Sequence, residues 1–362
     1  MRKIFQGCVA LLMFGALAYA QGFIPIGVRR AREAEQMRLA QKLLAEKDKH
    51  ERMKIRNEMV EKDVIRERDV IPNGSDKVLG DGFSVKAFVW LYQQGKGTGT
   101  TEDLNARLHA VVGLASLKAS AARDPLIVAL EDPHDAIQLR VLQAIDKRSI
   151  VRAGKDVVLK LRSPNAEVVA AAARCLANLG VTQGSTGPMI ELMVKWYEKL
   201  LAADADDPRR AEYHHMIEVL GRSCGQLIVG VTWSPGPSIE ELGKEIAKFT
   251  RWWNQQHLSG LKDPRYQSRK QALDKMRVTA DESIFMSVLE AVVKEFARLQ
   301  ATDNFTEKQQ AQQFIVVASD ILSRIARLDA VLRPTSSVQE IAAAIKKWQD
   351  WAKQHMQSLA QP

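Results

Sequence analysis

The chain has 362 residues, 46% of them apolar and 6% aromatic, and a formal net charge of +9. This length holds one long helical array or two compact domains, and an alanine-rich, ring-poor composition excludes a β-sandwich in favour of close-packed helices. A basic chain with no RNA- or DNA-reading module excludes nucleic acid and leaves anionic lipid, polymer or protein as partners.

Residues 1–20 read as a secretory signal. Arg2 and Lys3 precede an apolar run from Ile4, and Ala18-Tyr19-Ala20 offers the small residues of a cleavage site. The run is shorter than the ~20 residues a span requires, so cleavage at or near Gln21 is expected. Loss of Arg2 and Lys3 would lower the net charge from +9 to +7. Cys8 follows Phe5-Gln6-Gly7, which is unlike a lipid-attachment site. Cys175 and Cys224 sit in apolar helical runs and are expected to be buried free thiols.

Residues 21–71 predict a long charged helix. Positions 29–69 hold 13 Lys/Arg and 10 Asp/Glu with no Pro or Gly, and Asp48/Arg52 and Glu58/Lys62 are spaced for ion pairs along a helix. The apolar stripe of Met37, Leu44, Met53, Val60 and Val64 is too interrupted for a coiled coil. A solvated helix dispensable for folding is expected, or else one that binds a partner or dimerises. Residues 72–101 read as a Gly-rich linker with a short helix in "SVKAFVWLYQQ". "GKGTGTT" at 95–101 lacks the spacing of a phosphate loop and reads as a flexible turn.

Residues 102–203 predict short helical hairpins. Asp124-Pro125, Asp132-Pro133 and Ser163-Pro164 suggest a side-chain cap followed by proline at the first helical position, and Asp207-Pro208 and Asp263-Pro264 repeat the pair. Hairpins this small cannot bury an apolar face alone and must stack.

Residues 204–362 predict larger repeats. Positions 235–256 align without gaps to 334–355, an offset of 99. Identities include Pro235/Pro334, Ser238/Ser337, Glu241/Glu340, Ile246/Ile345, Lys248/Lys347, Trp252/Trp351 and Gln255/Gln354. Positions 239, 242, 246, 249 and 253 follow one helical face, so the tryptophans are expected in the core.

The run from Leu104 to Gly180 resembles HEAT repeats, including the variant of phycobilin-lyase proteins. The resemblance rests on "LEDPHDAIQLRVLQAI", "LRSPNAEVVAAAARCLANLG" and "LKDPRYQSRKQALDKM". It implies an α-solenoid and leaves function open, since this architecture serves scaffolds, adaptors and a few enzymes. The arginine usual on the inner helix is matched by Arg269, whereas Arg140 falls two residues late and Val169 stands at the third place, so no ligand site carries over.

Candidate chemistry is sparse. His214, His215 and Glu218 offer ligand spacing without a third partner, and Asp204, Asp206 and Asp207 lack the order of a calcium loop. No serine or cysteine has a nucleophile setting. The expectation is an all-α solenoid, non-enzymatic and exported, acting as a protein-interaction scaffold in the cell envelope, with no catalytic, cofactor or metal site. Its expected partner is an envelope protein. Alternatives are a basic binder of anionic lipid or polymer, and a lyase-like protein or chaperone.

Overall fold

Several helix starts in this chain are set by short polar side chains. Thr100, Asn165, Ser238 and Asn304 each accept a hydrogen bond from an amide of the first helical turn. The computed structural model describes residues 24, 26–66, 78–96 and 100–359. The secretory signal expected at 1–20 lies outside the described residues, as do positions 97–99 of "GKGTGTT".

Among the described residues there are fifteen α-helices and one pair of short strands. The chain divides into two compact units, Met1–Val181 and Thr182–Pro362. The first contains α1 (Ile26–Ala45), α2 (Lys49–Glu61), β1 (Ile65–Arg66), β2 (Val78–Gly80), α3 (Val85–Gln94), α4 (Thr101–Ser116), α5 (Arg123–Ala129), α6 (Asp135–Lys147), α7 (Gly154–Lys160) and α8 (Ala166–Asn178). The second contains α9 (Thr186–Ala202), α10 (Arg210–Leu227), α11 (Ile239–Leu258), α12 (Tyr266–Met276), α13 (Phe285–Ala301), α14 (Phe305–Ala326) and α15 (Val338–Leu359). The all-α reading therefore holds, with a minor exception. β1 and β2 pair antiparallel, Ile65 opposite Gly80.

The charged segment is two helices rather than one. Glu46–Asp48 break it, and Asp48 caps α2 by accepting from the Glu51 amide. The chain doubles back, so the apolar phase restarts and a different face is buried. Leu39, Ala40, Leu43, Ile55 and Met59 are interior, whereas Leu44 and Met53 of the expected stripe are exposed. The hairpin packs on α3 and α4. The Gln36 amide and the Ser84 hydroxyl both donate to the Met59 carbonyl, and the Asp63 carboxylate accepts from the Gly82 and Ser84 amides. Within the expected linker, α3 is likewise core. Phe88 and Leu91 of α3 are fully buried, and a Cβ on Gly113 of α4 would lie 2.3 Å from the Phe88 ring. This packing counters the expectation that folding does without residues before 99.

In the first unit α4, α6 and α8 pack side by side in that order, with short α5 and α7 leaning on them. Asp132 joins three segments from its buried position. Its carboxylate accepts from the Arg107 guanidinium (2.7 and 2.8 Å), the Tyr92 hydroxyl (2.6 Å) and the His134 amide (2.9 Å). Burial first, then the Asp132 carboxylate, pushes the Tyr92 hydroxyl well above its usual range.

The Asp/Ser-Pro pairs sit two residues earlier than expected relative to their helices. Asp132, Ser163, Asp207 and Asp263 each accept from the amide two positions on, past the proline, and the helix begins one residue later still. They close a turn that aims the chain into the helix, a local side-chain bond rather than an N-cap. Asp124 does neither, for it lies inside α5 and pairs with Arg152.

Candidate interaction grooves

The repeat at offset 99 extends beyond its visible part into a full three-helix module. In the first copy α9 and α10 form a hairpin and α11 packs on α9, and in the second α13, α14 and α15 do the same. Buried positions keep the offset of 99 in the first helix, as in Met189/Val288, Ile190/Leu289, Met193/Val292 and Leu200/Leu299. The second helix keeps an offset of 98, as in Met216/Phe314, Ile217/Ile315, Leu220/Ala318 and Cys224/Leu322. The third returns to 99 with Leu242/Ile341, Ile246/Ile345 and Phe249/Trp348. The one-residue slip in the middle helix leaves the apolar faces inward, because each helix keeps its own apolar phase.

The caps are the same device in both copies. The Ser238 amide donates to the Glu241 carboxylate (3.1 Å) while the Glu241 amide donates to the Ser238 hydroxyl (3.1 Å). Ser337 and Glu340 repeat this at 2.6 and 3.3 Å. In each pair the serine amide, then the serine hydroxyl, holds the glutamate below the usual carboxylate range. The connecting loop also returns to the same spot on the middle helix. Trp233 lies on Gly221, where a Cβ would come within 2.3 Å of the ring, and in the second copy the Leu332 amide donates to the Ser319 hydroxyl (3.0 Å).

Each module presents a groove between its first and third helices. In the first copy the end of α12 and the turn after it, residues 275–281, lie against it. Trp253 donates from its indole to the Lys275 carbonyl (2.9 Å), and Asn254 donates to the Thr279 carbonyl (2.9 Å) and accepts from the Thr279 hydroxyl (2.8 Å). Thr250 reaches the Asp281 carboxylate at 3.4 Å. What remains is a cleft of 760 Å³ holding Glu198, Arg251, Asp281, Glu282, Arg324 and Arg327, a balanced mixture of charges. In the second copy the corresponding groove is a 720 Å³ hollow with Met286, Leu289, Val293 and Ala352 on its walls and Glu290, Gln349 and Lys353 at its edges. Met286 is 48% and Val293 38% exposed.

The module boundary carries a buried ion pair. Arg269 of α12 meets Glu295 of α13 at 2.8 Å, each about one-twentieth exposed, and also donates to the Asp263 and Pro264 carbonyls. This is the arginine the repeat resemblance singles out. Arg140 is exposed, and Val169 is core.

The weighed chemical candidates resolve into structural parts. His214 and His215 lie exposed on α10, while Glu218 accepts from Arg222 and from the Trp233 indole. Asp207 clasps Arg209. No group of three metal-ligating side chains occurs among the described residues. Cys175 and Cys224 are free and buried, and burial raises both thiols to about 12. Of the repeat aromatics, only Phe249 and Trp348 are fully enclosed. Trp252, Trp253 and Trp351 are half-buried, Trp351 lying 4.5 Å from the Phe285 ring. The grooves themselves gave no sequence signal.

No protein-family model matches the chain, and no curated protein matches it. Among solved structures, human deoxyhypusine hydroxylase in complex with glycerol is similar over 75% of this chain and 96% of its own, at 15% identity and a TM-score of 0.28. A computationally designed self-assembling cyclic homooligomer covers 92% of this chain and 96% of its own, at 10% identity and a TM-score of 0.12. Likeness at this level carries no conclusion about function.

Proposed function

We propose that the chain is an exported, non-enzymatic helical-repeat protein of HEAT type that serves as a protein-interaction scaffold in the cell envelope. One observation supports the reading: the first three-helix module seats a stretch of its own chain. Its groove already holds residues 275–281 through Thr250, Trp253 and Asn254. The second copy offers the matching groove open. Export rests on Arg2-Lys3, the apolar run after them and Ala18-Tyr19-Ala20. No helix among the described residues is long and apolar enough to cross a membrane.

The rival reading, a basic binder of anionic surfaces, would use the charged hairpin, where four of the eleven bases at 29–62 are ion-paired: Arg29 with Glu33, Arg32 with Glu35, Lys54 with Glu51, and Lys62 with Glu35 and Glu58. The test is affinity isolation of the full tagged chain from its native envelope after in-cell cross-linking, with and without high salt. The scaffold reading expects one or a few proteins retained at high salt. Recovery of lipid or polymer alone, lost as salt screens the charges, would replace it with the surface binder.

A further inference from the structure

The two module copies differ in one buried carboxylate. In the first copy Glu245 of α11 is buried, and its carboxylate accepts from the Lys248 ammonium (2.5 Å) and the Ser234 amide (3.3 Å). It thereby ties the return helix to the loop before it. At offset 99, Lys248 recurs as Lys347 and Ser234 becomes Arg333, but Glu245 becomes Ala344. These three residues line one hollow of 440 Å³ between the loop at 330–336 and the first half of α15. The Arg333 amide turns instead to the Ser336 hydroxyl (3.0 Å). Among the described residues, the Lys347 ammonium meets only the Asp329 carbonyl, at 3.4 Å.

We infer that this hollow binds a carboxylate on a short apolar stem, carried by a free acid or by an acidic side chain of a partner, in the place that Glu245 takes in the first copy. The inference goes beyond the scaffold reading and does not depend on it. Lys347 supplies the charge, and a carboxylate bonded to an ammonium is held more firmly than a neutral group. The Ser336 oxygen accepts from the Arg333 amide, which leaves its O–H to donate to the ligand. Leu332 and Ala344 give the stem an apolar wall, as the position of Ala344 in the buried core requires. An inorganic anion would meet the charge and leave that wall bare. The cap glutamate Glu340 also lines the hollow without barring an anion. Its counterpart Glu241 stands one turn from Glu245 in the first copy, and the two carboxylates coexist because each has its own donors. Glu340 likewise has the Ser337 amide (2.6 Å), with the positive charge of Arg333 beside it.

The probe is pentanoate, titrated against the full chain by saturation-transfer NMR. Saturable binding is expected with a Kd on the order of 1 mM, and neutral pentanamide should bind roughly tenfold more weakly or not at all. Lys347→Met should weaken pentanoate by roughly tenfold or more. Lys346→Met, at an exposed neighbour on the same helix, should leave it unchanged. Ala344→Glu supplies the carboxylate from the chain itself. It should abolish pentanoate binding and melt no lower than the parent chain, whereas the same change beside Lys347→Met should lower the melting temperature. Should Ala344→Glu fail to fold, the inference falls, because the hollow would then refuse the group it is inferred to take. A blocked Ala-Glu-Ala peptide, titrated in the same way, tells the two sources apart. Tighter binding than pentanoate assigns the carboxylate to a partner's side chain, and equal or weaker binding assigns it to a free acid. Absence of saturable pentanoate binding, equal binding of pentanamide, or unchanged affinity in Lys347→Met would overturn the inference.

Discussion

The two copies of the three-helix module share one pattern of buried positions and one kind of cap, and differ on the face that meets a neighbour. Phe249 and Trp348 are both fully enclosed, and Ser238/Glu241 and Ser337/Glu340 make the same reciprocal cap. On the groove face, Thr250, Trp253 and Asn254 have become Gln349, Ala352 and Lys353. The interior is constrained by volume and helical phase, which tolerate exchange among apolar residues of similar bulk. The groove face is constrained only by what lies on it. A face that fastens its own chain keeps hydrogen-bonding side chains matched to that chain's carbonyls, whereas a face released from that duty is free to change.

This comparison can be broken most decisively at the enclosed aromatics. Trp348→Ala should cost on the order of 3–5 kcal/mol in a denaturant melt. Trp252→Ala should cost visibly less, because that ring is only half-buried. Equal losses would mean that the half-buried ring carries as much of the core as the enclosed one.

The next effect separates the two groove faces. Asn254→Ala strips the Thr279 hydroxyl and carbonyl of their buried partner and should cost about 1–3 kcal/mol. Lys353→Ala, at the matching place on the open face, should stay within about 0.5 kcal/mol of the parent. A similar penalty at both positions would mean that the second groove is already filled.

The caps supply a smaller, symmetrical pair. Ser238→Ala and Ser337→Ala should each cost about 1 kcal/mol. Their pH dependence has a definite sign. Glu241 and Glu340 lie below their ordinary values in the folded chain, so each contributes stability that is present above the unfolded carboxylate pKa and is lost as pH falls through the lowered one. Acid titration of the melting temperature should therefore show a shallower fall in the double serine variant than in the parent chain. An unchanged acid limb would mean the caps do not set those carboxylates.

The all-helical class was legible because every long apolar period after residue 100 has a helical spacing, and the repeat was legible where it carries Pro, Ser, Glu and Trp. The hairpin half of the module escaped notice. Its matched positions, such as Met189/Val288 and Met193/Val292, share shape rather than identity, and the offset slips to 98 in the middle helix. The N-terminal hairpin was misread because its buried face includes Gln36 and Ala40, which look like surface residues, while Leu44 and Met53 look like core and are not. The Asp/Ser-Pro pairs are visible in the sequence but lie two residues before the cap position, since an Asp before Pro serves a turn as well as a cap. A groove defined by what does not cover it leaves no mark in a single sequence.

The most direct measurement compares accessibility at the paired positions. Asn254→Cys and Lys353→Cys chains are exposed to a maleimide under native conditions, and the labelled peptides are quantified by mass spectrometry, with Thr250→Cys and Gln349→Cys as a second pair. The buried Cys175 and Cys224 serve as unreactive internal references. Positions 353 and 349 should label as free thiols do. Positions 254 and 250 should label more slowly by on the order of a hundredfold, because they open only with the segment that covers them. Equal rates within each pair would contradict the account, for they would mean that the two modules present the same face to solvent.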